Sequence, residues 1–530
     1  MSTTENRTST GLARSDPAST QWSNRIHRVQ EAGGESDANT EVHPARTTED
    51  ELLVRGGRQL FVVPESTPEV EGFLPNYWKP EPYQERGVEW LATRPAAALF
   101  LPPGMGKTSI SLAAIGMVGE LLRKRARTLV LAPLTVCLTT WQTEPGKWRQ
   151  FSHLKVGLAH GSDKELILQD DYYDVVILNY DGIAWAAPLL AKGHTFQILL
   201  CDELTRLKHT TSKRFKTLKP LLPSFSFRWG LTGTPAANGL MDLFGQCYVL
   251  DGGQRLGRFI THFRLKYFYQ KTFDQYRYYI RETEAKQLIE KISDMAMYLD
   301  PKDYLTLPPL IDVPLEVEFT KDEMAKYKVL EDDFILKLQD NIVTAANAGV
   351  LTSKLRQFTG GAVYSSTGVY DIVAREKIER LESLVEELAG EPLMVAYQFE
   401  HEYERLIKSF PDACAIRGGL TRTKLAETVE IWNQGQTPVL LVQPTAAALG
   451  LNLQFGGSAI CWFSLTYNLE EYIQLIARLL RRGQTRSVMN YILTVKGTID
   501  QHIAKVMVDK DATQNTVFEE LKRLGAPVKV

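Results

Sequence analysis

The sequence predicts an α/β protein built from two parallel β-sheets, each covered by helices on both faces, with a helical insertion between them. Short apolar segments alternate with helical stretches through residues 77–235, and the same alternation returns in residues 375–530. Residues 236–374 have a helical pattern instead and are dense in charged and aromatic residues. Repeated strand–loop–helix units favour parallel strands, because each helix carries the chain back across the sheet before the next strand begins.

Residues 1–51 differ from all of these segments. They are rich in Ser, Thr, Glu, Arg and Asn and contain few large apolar side chains. Such a segment cannot bury enough apolar surface to offset the entropy lost on ordering, so we expect a disordered tail.

The elements of the first α/β unit, residues 77–235, follow from its apolar runs. Each run is short and is followed by polar or turn residues, which is typical of strands in a parallel sheet. A helix is expected over Thr108–Arg123, directly after a glycine-containing turn. The expected strands are Ala96–Leu101, Thr128–Ala132, Val175–Asn179, Ile198–Cys201 and Ser226–Leu231.

The second unit, residues 375–530, begins after a linker-like stretch around Gly360–Ser366 at the end of the insertion. Its expected strands are Leu393–Phe399, Ala413–Ile416, Val439–Val442, Ser458–Cys461 and Val488–Val495. Its expected helices are Glu376–Leu388, Glu400–Phe410, Lys424–Gly435 and Leu469–Arg481.

Composition argues against several classes of protein. Of 530 residues, 44% are hydrophobic and 23% are charged, which is the balance of a soluble globular protein. No apolar run reaches the roughly 18–20 residues that a membrane span needs, and the N-terminus lacks the features of a signal peptide. The five cysteines are scattered singly, which argues against a zinc site or a disulfide framework. We therefore expect an intracellular protein without membrane contact.

A glycine-containing turn between the first strand and the first helix has the pattern of a phosphate-binding loop. In Leu101–Thr108 the glycines allow backbone N–H groups to face phosphate oxygens. Lys107 would neutralise the β- and γ-phosphates of ATP, and the Thr108 hydroxyl would ligate Mg²⁺. Leu101 stands where the strict pattern has Gly, so the alternative is an ordinary glycine turn with an incidental lysine. The expected ATP contacts of this loop are Gly104, Met105, Gly106, Lys107 and Thr108.

A second apolar strand ends in two adjacent acids, within Gln197–Leu204. Loops that follow the carboxyl ends of parallel strands meet at the ligand crevice of the sheet. Asp202 could hold Mg²⁺ through water, and Glu203 could orient and deprotonate an attacking water. An isolated Asp-Glu pair is usually solvated, but together with a phosphate loop it indicates ATP hydrolysis.

The segment Gln474–Gln484 supplies arginines at a helical spacing. Gln474, Arg478 and Arg481 recur at about that spacing and so lie on one face. The planar fork of Arg donors stabilises charge that develops on a transferred phosphoryl group. The alternative is a basic helix exposed to solvent.

Together these motifs resemble those of superfamily-two helicases, most closely the Swi/Snf-like branch in the compact form found in bacteriophages. They occur in the family's order between about Pro82 and Gln484. The resemblance implies two tandem RecA-like P-loop domains, the first of which binds ATP. It also implies a cytoplasmic location, in a bacterium or a phage-infected host cell.

The resemblance assigns roles to further residues. Gln84 resembles the residue that recognises adenine, and Gly230–Pro235 resembles the motif that couples hydrolysis to movement. Gly450–Gln454 resembles the second-domain motif that touches ATP and nucleic acid, so Gly450 and Asn452 join Gln474 as expected ATP contacts. The family's arginines reach the γ-phosphate from the second domain. The expected catalytic residues are therefore Lys107, Glu203, Arg478 and Arg481.

Three regions offer contacts to nucleic acid. Ala132–Trp141 and Asn179–Asp181 correspond to segments that touch the phosphate backbone in the family. In the insertion, cations alternate with aromatic residues, which suits exposed bases or a duplex backbone, although core aromatics beside long basic side chains give the same pattern. These residues are Arg255, Arg258, His262, Phe263, Arg264, Lys266, Tyr267, Tyr269, Lys271, Phe273, Tyr276, Arg277 and Arg281. Because the net charge is only −2, the positive charge must be gathered locally.

The resulting hypothesis is an ATP-dependent helicase or translocase that uses ATP and Mg²⁺ and moves along or remodels single- or double-stranded DNA. An RNA helicase is the close alternative, and only the resemblance favours DNA over RNA. A catalytically silent nucleic-acid clamp is the third hypothesis. Such a clamp has no need for the whole set Lys107, Thr108, Asp202, Glu203 and Arg481.

Overall fold

The computed structural model describes residues 76–271, 274–300, 303–339, 345–449 and 451–525. The tail expected at residues 1–51 and the ATP contact expected at Gly450 lie outside these ranges. Within them the chain forms parallel sheets of seven and six strands and two short antiparallel hairpins. No helix in these ranges is long and apolar enough to cross a membrane.

The seven-stranded sheet is formed by residues of the N-terminal part, which we call the first lobe. Its order is β3-β4-β2-β5-β6-β1-β9, with every neighbouring pair parallel. Strands β7 and β8 form a separate hairpin. Strands β1 to β9 are Ala96–Phe100, Thr128–Ala132, Val156–Leu158, Val175–Asn179, Ile198–Asp202, Phe227–Thr232, Phe268–Lys271, Asp274–Ile280 and Ala296–Tyr298.

Helices of the first lobe connect these strands and pack against the sheet. A short π-helix, Cys137–Trp141, follows β2. The α-helices are Pro82–Ala92, Lys107–Leu122, Leu134–Val136, Glu144–Lys147, Lys164–Gln169, Ile183–Ala191, Lys213–Leu218, Leu243–Asp251, Ile260–Tyr267 and Glu282–Ile292.

The six-stranded sheet forms the second lobe, in the order β10-β17-β16-β13-β15-β14, again with parallel pairs. Strands β11 and β12 form the second hairpin. Strands β10 to β17 are Leu310–Val317, Ala362–Tyr364, Tyr370–Ile372, Leu393–Ala396, Cys414–Ile416, Val439–Val442, Ala459–Trp462 and Val488–Val495. The helices before the last strand are Lys321–Gln339, Ala345–Thr359, Glu376–Glu387, Glu400–Ser409, Arg422–Asn433 and Leu469–Leu479.

Both faces of the second sheet are covered by helices, because successive side chains of strand β13 lie in two different apolar cores. Leu393 and Val395 belong to an apolar core that includes residues of helix Glu376–Glu387. Met394 and Ala396 belong to the core on the other face, with residues of helix Leu469–Leu479. Successive side chains of a strand point to opposite faces, so this central strand is buried from both sides. The predicted fold class of two parallel sheets with helices on both faces is confirmed.

The segment between the two predicted units differs from a purely helical insertion. Strand β9 pairs with β1 in the first sheet, and strand β10 pairs along its whole length with β17 in the second. The sequence signal of β10 is weak because this edge strand is largely exposed and carries Asp312 and Glu316. A three-residue strand such as β9 gives no periodic signal at all.

A long C-terminal helix, Ile499–Gly525, was not foreseen and joins the two lobes. Its Ile503 and Met507 lie in a core of the second lobe. Val517 and Phe518 lie in the core of the first lobe, where the Phe518 ring stacks on Tyr298 at 4.0 Å between centroids. A helix of 27 residues is about 40 Å long, which is enough to reach from one core to the other.

Candidate active site between the two lobes

Three loops of the first lobe meet at the carboxyl ends of neighbouring strands. Strands β5, β6 and β1 are adjacent in the sheet. The segment Leu101–Thr108 follows β1, Asp202 ends β5 and Glu203 follows it, and Gly233 follows β6. This edge of a parallel sheet is where ligands bind in α/β proteins. The motifs found in the sequence are therefore brought to one place by the strand order.

The loop Leu101–Thr108 depends on its glycines. Gly104 and Gly106 have φ angles of 87° and 75°, which residues with a Cβ rarely adopt. A Cβ added at Gly106 would also lie 2.5 Å from Gln84 Nε2. The buried Gln84 donates to the Met105 carbonyl at 3.4 Å, so it braces the loop from the helix Pro82–Ala92.

Lys107 begins the helix that follows the loop. Its ammonium group donates to the Leu101 carbonyl at 2.8 Å. Burial lowers the pKa of Lys107, while the nearby carboxylates of Glu203 and Asp202 raise it. The lysine is thus a half-buried cation whose ammonium group donates to two carbonyls of the loop itself, those of Leu101 and Pro102.

Asp202 and Glu203 are held by two aromatic residues of the first lobe. Trp141 Nε1 donates to Asp202 Oδ2 at 2.8 Å, and Asp202 Oδ1 accepts from the Glu203 N–H at 3.1 Å. The Tyr180 hydroxyl donates to the Asp202 carbonyl at 2.8 Å. Glu203 has a φ of 55°, an uncommon conformation for a residue other than Gly. Because Trp141, Tyr180 and Asp202 are buried, these bonds fix the acid pair rigidly.

These two aromatic residues belong to segments that the sequence linked with nucleic acid. Trp141 ends the π-helix after β2, and Tyr180 follows β4. No sequence pattern indicated that either side chain would contact the acid pair, since the contacts join residues 61 and 22 positions apart. The structure therefore connects the expected nucleic-acid contacts of the first lobe directly to its carboxylates.

Helix Leu469–Leu479 of the second lobe reaches the same carboxylates. Gln474 Nε2 donates to Glu203 Oε1 at 3.4 Å and to Glu470 Oε1 at 3.3 Å. The Thr205 hydroxyl of the first lobe also donates to Glu470 Oε1, at 3.3 Å. Glu470 was not singled out in the sequence, although it lies one helical turn before Gln474. This carboxylate links the two lobes beside the acid pair.

The acids are in an unusual electrostatic environment. Burial raises the pKa of Glu203, and the carboxylate of Glu470 raises it further, whereas Lys107 lowers it. Burial also raises the pKa of Asp202. No described residue donates a hydrogen bond to the buried Glu203 Oε2. One carboxylate oxygen of Glu203 thus keeps its capacity to accept a hydrogen bond.

Arg478 and Arg481 complete the site from the second lobe. The sequence predicted a helix from Leu469 to Arg481, but the helix ends at Leu479, so Arg481 lies beyond it. Leu480 leaves the helical conformation with a ψ of 83°, and Arg481 then donates to the Leu451 carbonyl at 3.3 Å. Burial, followed by the charge of Arg481, lowers the pKa of Arg478 to about 10.

One cavity of about 240 Å³ contains most of the residues expected in the site. From the first lobe it is lined by Gly104, Gly106, Lys107, Thr108, Asp202 and Glu203, and from the second by Gln474, Arg478 and Arg481. Gln84 and Met105 are not among the residues that line this cavity. Gln84 lies behind the loop, where it donates to the Met105 carbonyl. The predicted phosphate loop, acid pair and arginines therefore face one another across the lobes.

Asn452 is not brought to this cavity. Its side chain is exposed, and its carbonyl accepts from Asn433 Nδ2 at 2.9 Å. The next residue, Leu453, is buried and its carbonyl accepts from Trp432 Nε1, which turns Asn452 outward. Leu451 lines a second cavity between the lobes, of about 540 Å³, together with Phe455 and Thr139.

Known protein families match both halves of the chain. A model of the SNF2-related domain matches residues 83–359, and a model of the helicase conserved C-terminal domain matches residues 376–483. The first match contains the phosphate loop and the acid pair. The second contains Gln474, Arg478 and Arg481.

Individual proteins are also similar to the chain. Putative protein p41 of Acyrthosiphon pisum secondary endosymbiont phage 1 is 33% identical over 464 residues, which cover 84% of this chain and 99% of that protein. The DNA repair and recombination protein RAD54-like of Gallus gallus is 23% identical over 79% of this chain, which spans 63% of that relative. The chain is also similar to the solved structure of the Sulfolobus solfataricus SWI2/SNF2 ATPase core in complex with dsDNA. The similarity covers 86% of this chain and 99% of that one, with 20% sequence identity and a TM-score of 0.40.

Proposed function

Because the chain belongs to the family of helicase-like ATPases defined by the SNF2-related domain and the helicase conserved C-terminal domain, we propose that it is a DNA-dependent ATPase that moves along or remodels DNA. The observation that carries this proposal is the cavity shared by Lys107, Glu203 and Arg481. These residues come from two lobes, so the complete site exists only when the lobes face each other. Hydrolysis can then be coupled to lobe movement.

Within the first lobe, the loop would bind the phosphates of ATP and the acid pair would act on the attacking water and the metal ion. Lys107 and the N–H groups of the loop would bind the β- and γ-phosphates. Glu203 would accept a proton from the attacking water through Oε2, the oxygen that no described residue engages. Gln84 would contact the adenine edge from its place behind the loop.

Thr108 and Asp202 fit a Mg²⁺ ion, since both line the cavity with oxygen atoms. Mg²⁺ bound here would neutralise charge on the phosphates. Both Asp202 oxygens already accept one hydrogen bond, from Trp141 and from the Glu203 N–H. Each keeps a second lone pair, so a contact through water fits Asp202 best.

The second lobe would supply the charge that hydrolysis requires. Arg478 and Arg481 line the cavity opposite Lys107, and their guanidinium forks would stabilise charge on the transferred phosphoryl group. Gln474, bonded to Glu203, would hold the base in line when the lobes close. The proposed catalytic residues are thus the four expected from the sequence.

DNA is the proposed partner for two reasons. A relative of this chain is a DNA repair and recombination protein by name. In addition, the segments Ala132–Trp141 and Asn179–Asp181 end in or contain the side chains that hold the acid pair. Nucleic acid bound on these segments would shift Trp141 and Tyr180, and with them the carboxylates. RNA could act through the same contacts, so it is included as a competitor in the test.

The test is the ATPase rate with duplex, single-stranded and forked DNA and with RNA, at one fixed salt concentration because phosphate contacts are salt-sensitive. We expect DNA to raise the rate at least about fivefold, the lower end of ordinary coupling between two sites. Lys107→Ala, which removes the cation from the phosphate loop, is the control for contaminating activity.

Three outcomes would redirect the proposal. Stimulation by RNA and not by DNA would favour the RNA helicase. A rapid rate that no nucleic acid changes would indicate another kind of P-loop enzyme. DNA binding without any ATP hydrolysis would favour the silent clamp.

The bond between Trp141 and Asp202 gives a sharper test of the coupling. In Trp141→Phe the carboxylate loses a donor in a buried position, and a hydrogen bond to a charged group contributes about 1.5–3 kcal/mol. We expect kcat to fall about 10- to 100-fold, together with a smaller ratio of the rates with and without DNA. Steady-state ATPase assays at saturating ATP measure both.

Trp229→Phe is the matched control. Trp229 is a buried tryptophan of the same lobe whose Nε1 donates to the Arg94 carbonyl at 3.3 Å, away from the cavity. This variant should lose stability in thermal unfolding but keep its kcat and its response to DNA. If Trp141→Phe behaves in the same way, the proposed coupling through Asp202 is wrong.

A further inference from the structure

The hairpin β7–β8 of the first lobe carries cations and tyrosines that the site between the lobes does not use. Phe268 lies opposite Ile280, and Tyr269 lies opposite Tyr279. Phe268 and Ile280 pack against the core of the first lobe. Because side chains alternate along a strand, the two tyrosines lie on the outer face. No described residue of the hairpin lines either cavity between the lobes.

On this outer face the side chains form a row of cation, ring, ring and cation. Lys271 Nζ lies 4.4 Å from the ring centroid of Tyr279, and the Arg281 guanidinium carbon lies 4.8 Å from that of Tyr269. The two ring centroids are 5.8 Å apart. A cation over an exposed ring gains about 0.5–1 kcal/mol. The rings therefore restrain two long side chains that would otherwise sample many rotamers.

The row lies within a strongly basic stretch of a chain that is not basic overall. The whole sequence has 61 Lys and Arg against 63 Asp and Glu. Residues 253–281 contain a single acid, Asp274. Their basic residues are Arg255, Arg258, Arg264, Lys266, Lys271, Arg277 and Arg281. Neighbouring acids offset part of this charge, since Arg255 pairs with Asp251 and Asp294, and Arg281 lies 3.7 Å from Glu284. Seven basic residues thus stand against four acids, Asp251, Asp274, Glu284 and Asp294, so the stretch keeps a positive excess.

We propose that the outer face of this hairpin binds the sugar–phosphate backbone of DNA, at a second contact outside the cleft between the lobes. The inference rests on the proposed function, because it requires that the chain engages DNA. Phosphate contacts by Lys and Arg are independent of base sequence and dominate affinity. Side chains that are already restrained lose less entropy when they bind. Tyr269, 37% exposed, adds a hydroxyl donor between the cations.

The test is the salt dependence of binding to a fluorescent duplex, measured by anisotropy without nucleotide. In Lys271→Ala/Arg281→Ala we expect weaker binding at every salt concentration. We also expect the slope of log K against log salt to become less steep by about 1.8, since each lost phosphate contact removes about 0.9. Lys271→Gln/Arg281→Gln removes the same charges with less loss of side-chain volume and should give the same slope.

Lys155→Ala is the matched control, because Lys155 lies over the ring of Tyr172 at 5.9 Å, beside the edge strand β3. Its slope should equal that of the parent protein. If the parent binds DNA and both double variants keep its slope, the hairpin contact is overturned and the proposed function stands. If the slope falls equally in Lys155→Ala, the effect is general surface charge and the hairpin contact is overturned. If the parent binds no DNA at all, the proposed function fails, and the hairpin contact fails with it.

Discussion

Arg481→Ala is expected to bind ATP nearly as well as the parent protein and to hydrolyse it roughly 10³- to 10⁵-fold more slowly, with or without DNA. The first lobe supplies most of the contacts that load nucleotide, through Lys107 and the loop around it. Arg481 lies in the same cavity but comes from the second lobe. Its charge would matter most when negative charge spreads over the transferring phosphoryl oxygens. Single-turnover hydrolysis and equilibrium ATP binding separate the two effects.

Two further variants define what Arg481 contributes. Arg481→Lys should restore little of the rate, because a point charge cannot replace the planar fork of donors. Arg482→Ala is the control, since Arg482 is 63% exposed and pairs with Glu81 of the first lobe at 3.0 Å. An exposed ion pair of this kind contributes about 0.2–1 kcal/mol, so its loss should change the rate only slightly. Equal and small effects of Arg481→Ala and Arg482→Ala would contradict the two-lobe active site.

Glu203→Gln is expected to bind ATP and DNA but to lower kcat about 10²- to 10⁴-fold, the contribution of a positioned general base. The amide has the shape of the carboxylate and keeps an oxygen that can accept from Gln474 Nε2. It cannot take a proton from water. Phosphate release under saturating ATP, with ATP binding measured separately, shows whether only the chemical step is lost.

Glu120→Gln serves as the control for this substitution. Glu120 is an exposed carboxylate near the end of the helix Lys107–Leu122, which starts at the phosphate loop. Its replacement should leave kcat within about twofold, because surface substitutions usually change free energies by less than about 0.5 kcal/mol. Normal hydrolysis by Glu203→Gln would show that another group activates the water.

The parts of the fold that could be predicted are those with a buried, uninterrupted apolar strand. Strands β2, β4, β15 and β17 have the bounds expected from the sequence. Each is apolar over most of its length, as strands covered on both faces must be. Strand β10 was not predicted, because it lacks a buried, uninterrupted apolar run. It is an exposed edge strand held by its pairing with β17, a contact nearly 180 residues distant that no local pattern reports.

The residues of the candidate site also fall into two groups, those that a local sequence pattern indicates and those that only a distant contact explains. Lys107, Asp202, Glu203, Arg478 and Arg481 could be chosen because each lies in a short motif whose residue types indicate its chemistry. The family matches cover the segments that contain these motifs. Glu470 could not be chosen, since its importance arises from Thr205 of the other lobe. The same holds for Trp141, whose bond to Asp202 depends on how β2 and β5 lie side by side. Roles that depend on a partner distant in sequence appear only in the structure.

The helix Ile499–Gly525 has a consequence for how the protein is made. A first lobe is usually able to fold while the rest of the chain is still being synthesised, because domains fold as units from the N-terminus. Here the core of the first lobe includes Val517, Phe518 and Leu521. Until these residues leave the ribosome, the surface they cover, including the face of Tyr298, stays open to water and to other nascent chains. The first lobe, expressed alone, should therefore aggregate and require chaperones, whereas adding residues 499–525 as a separate peptide should improve its solubility.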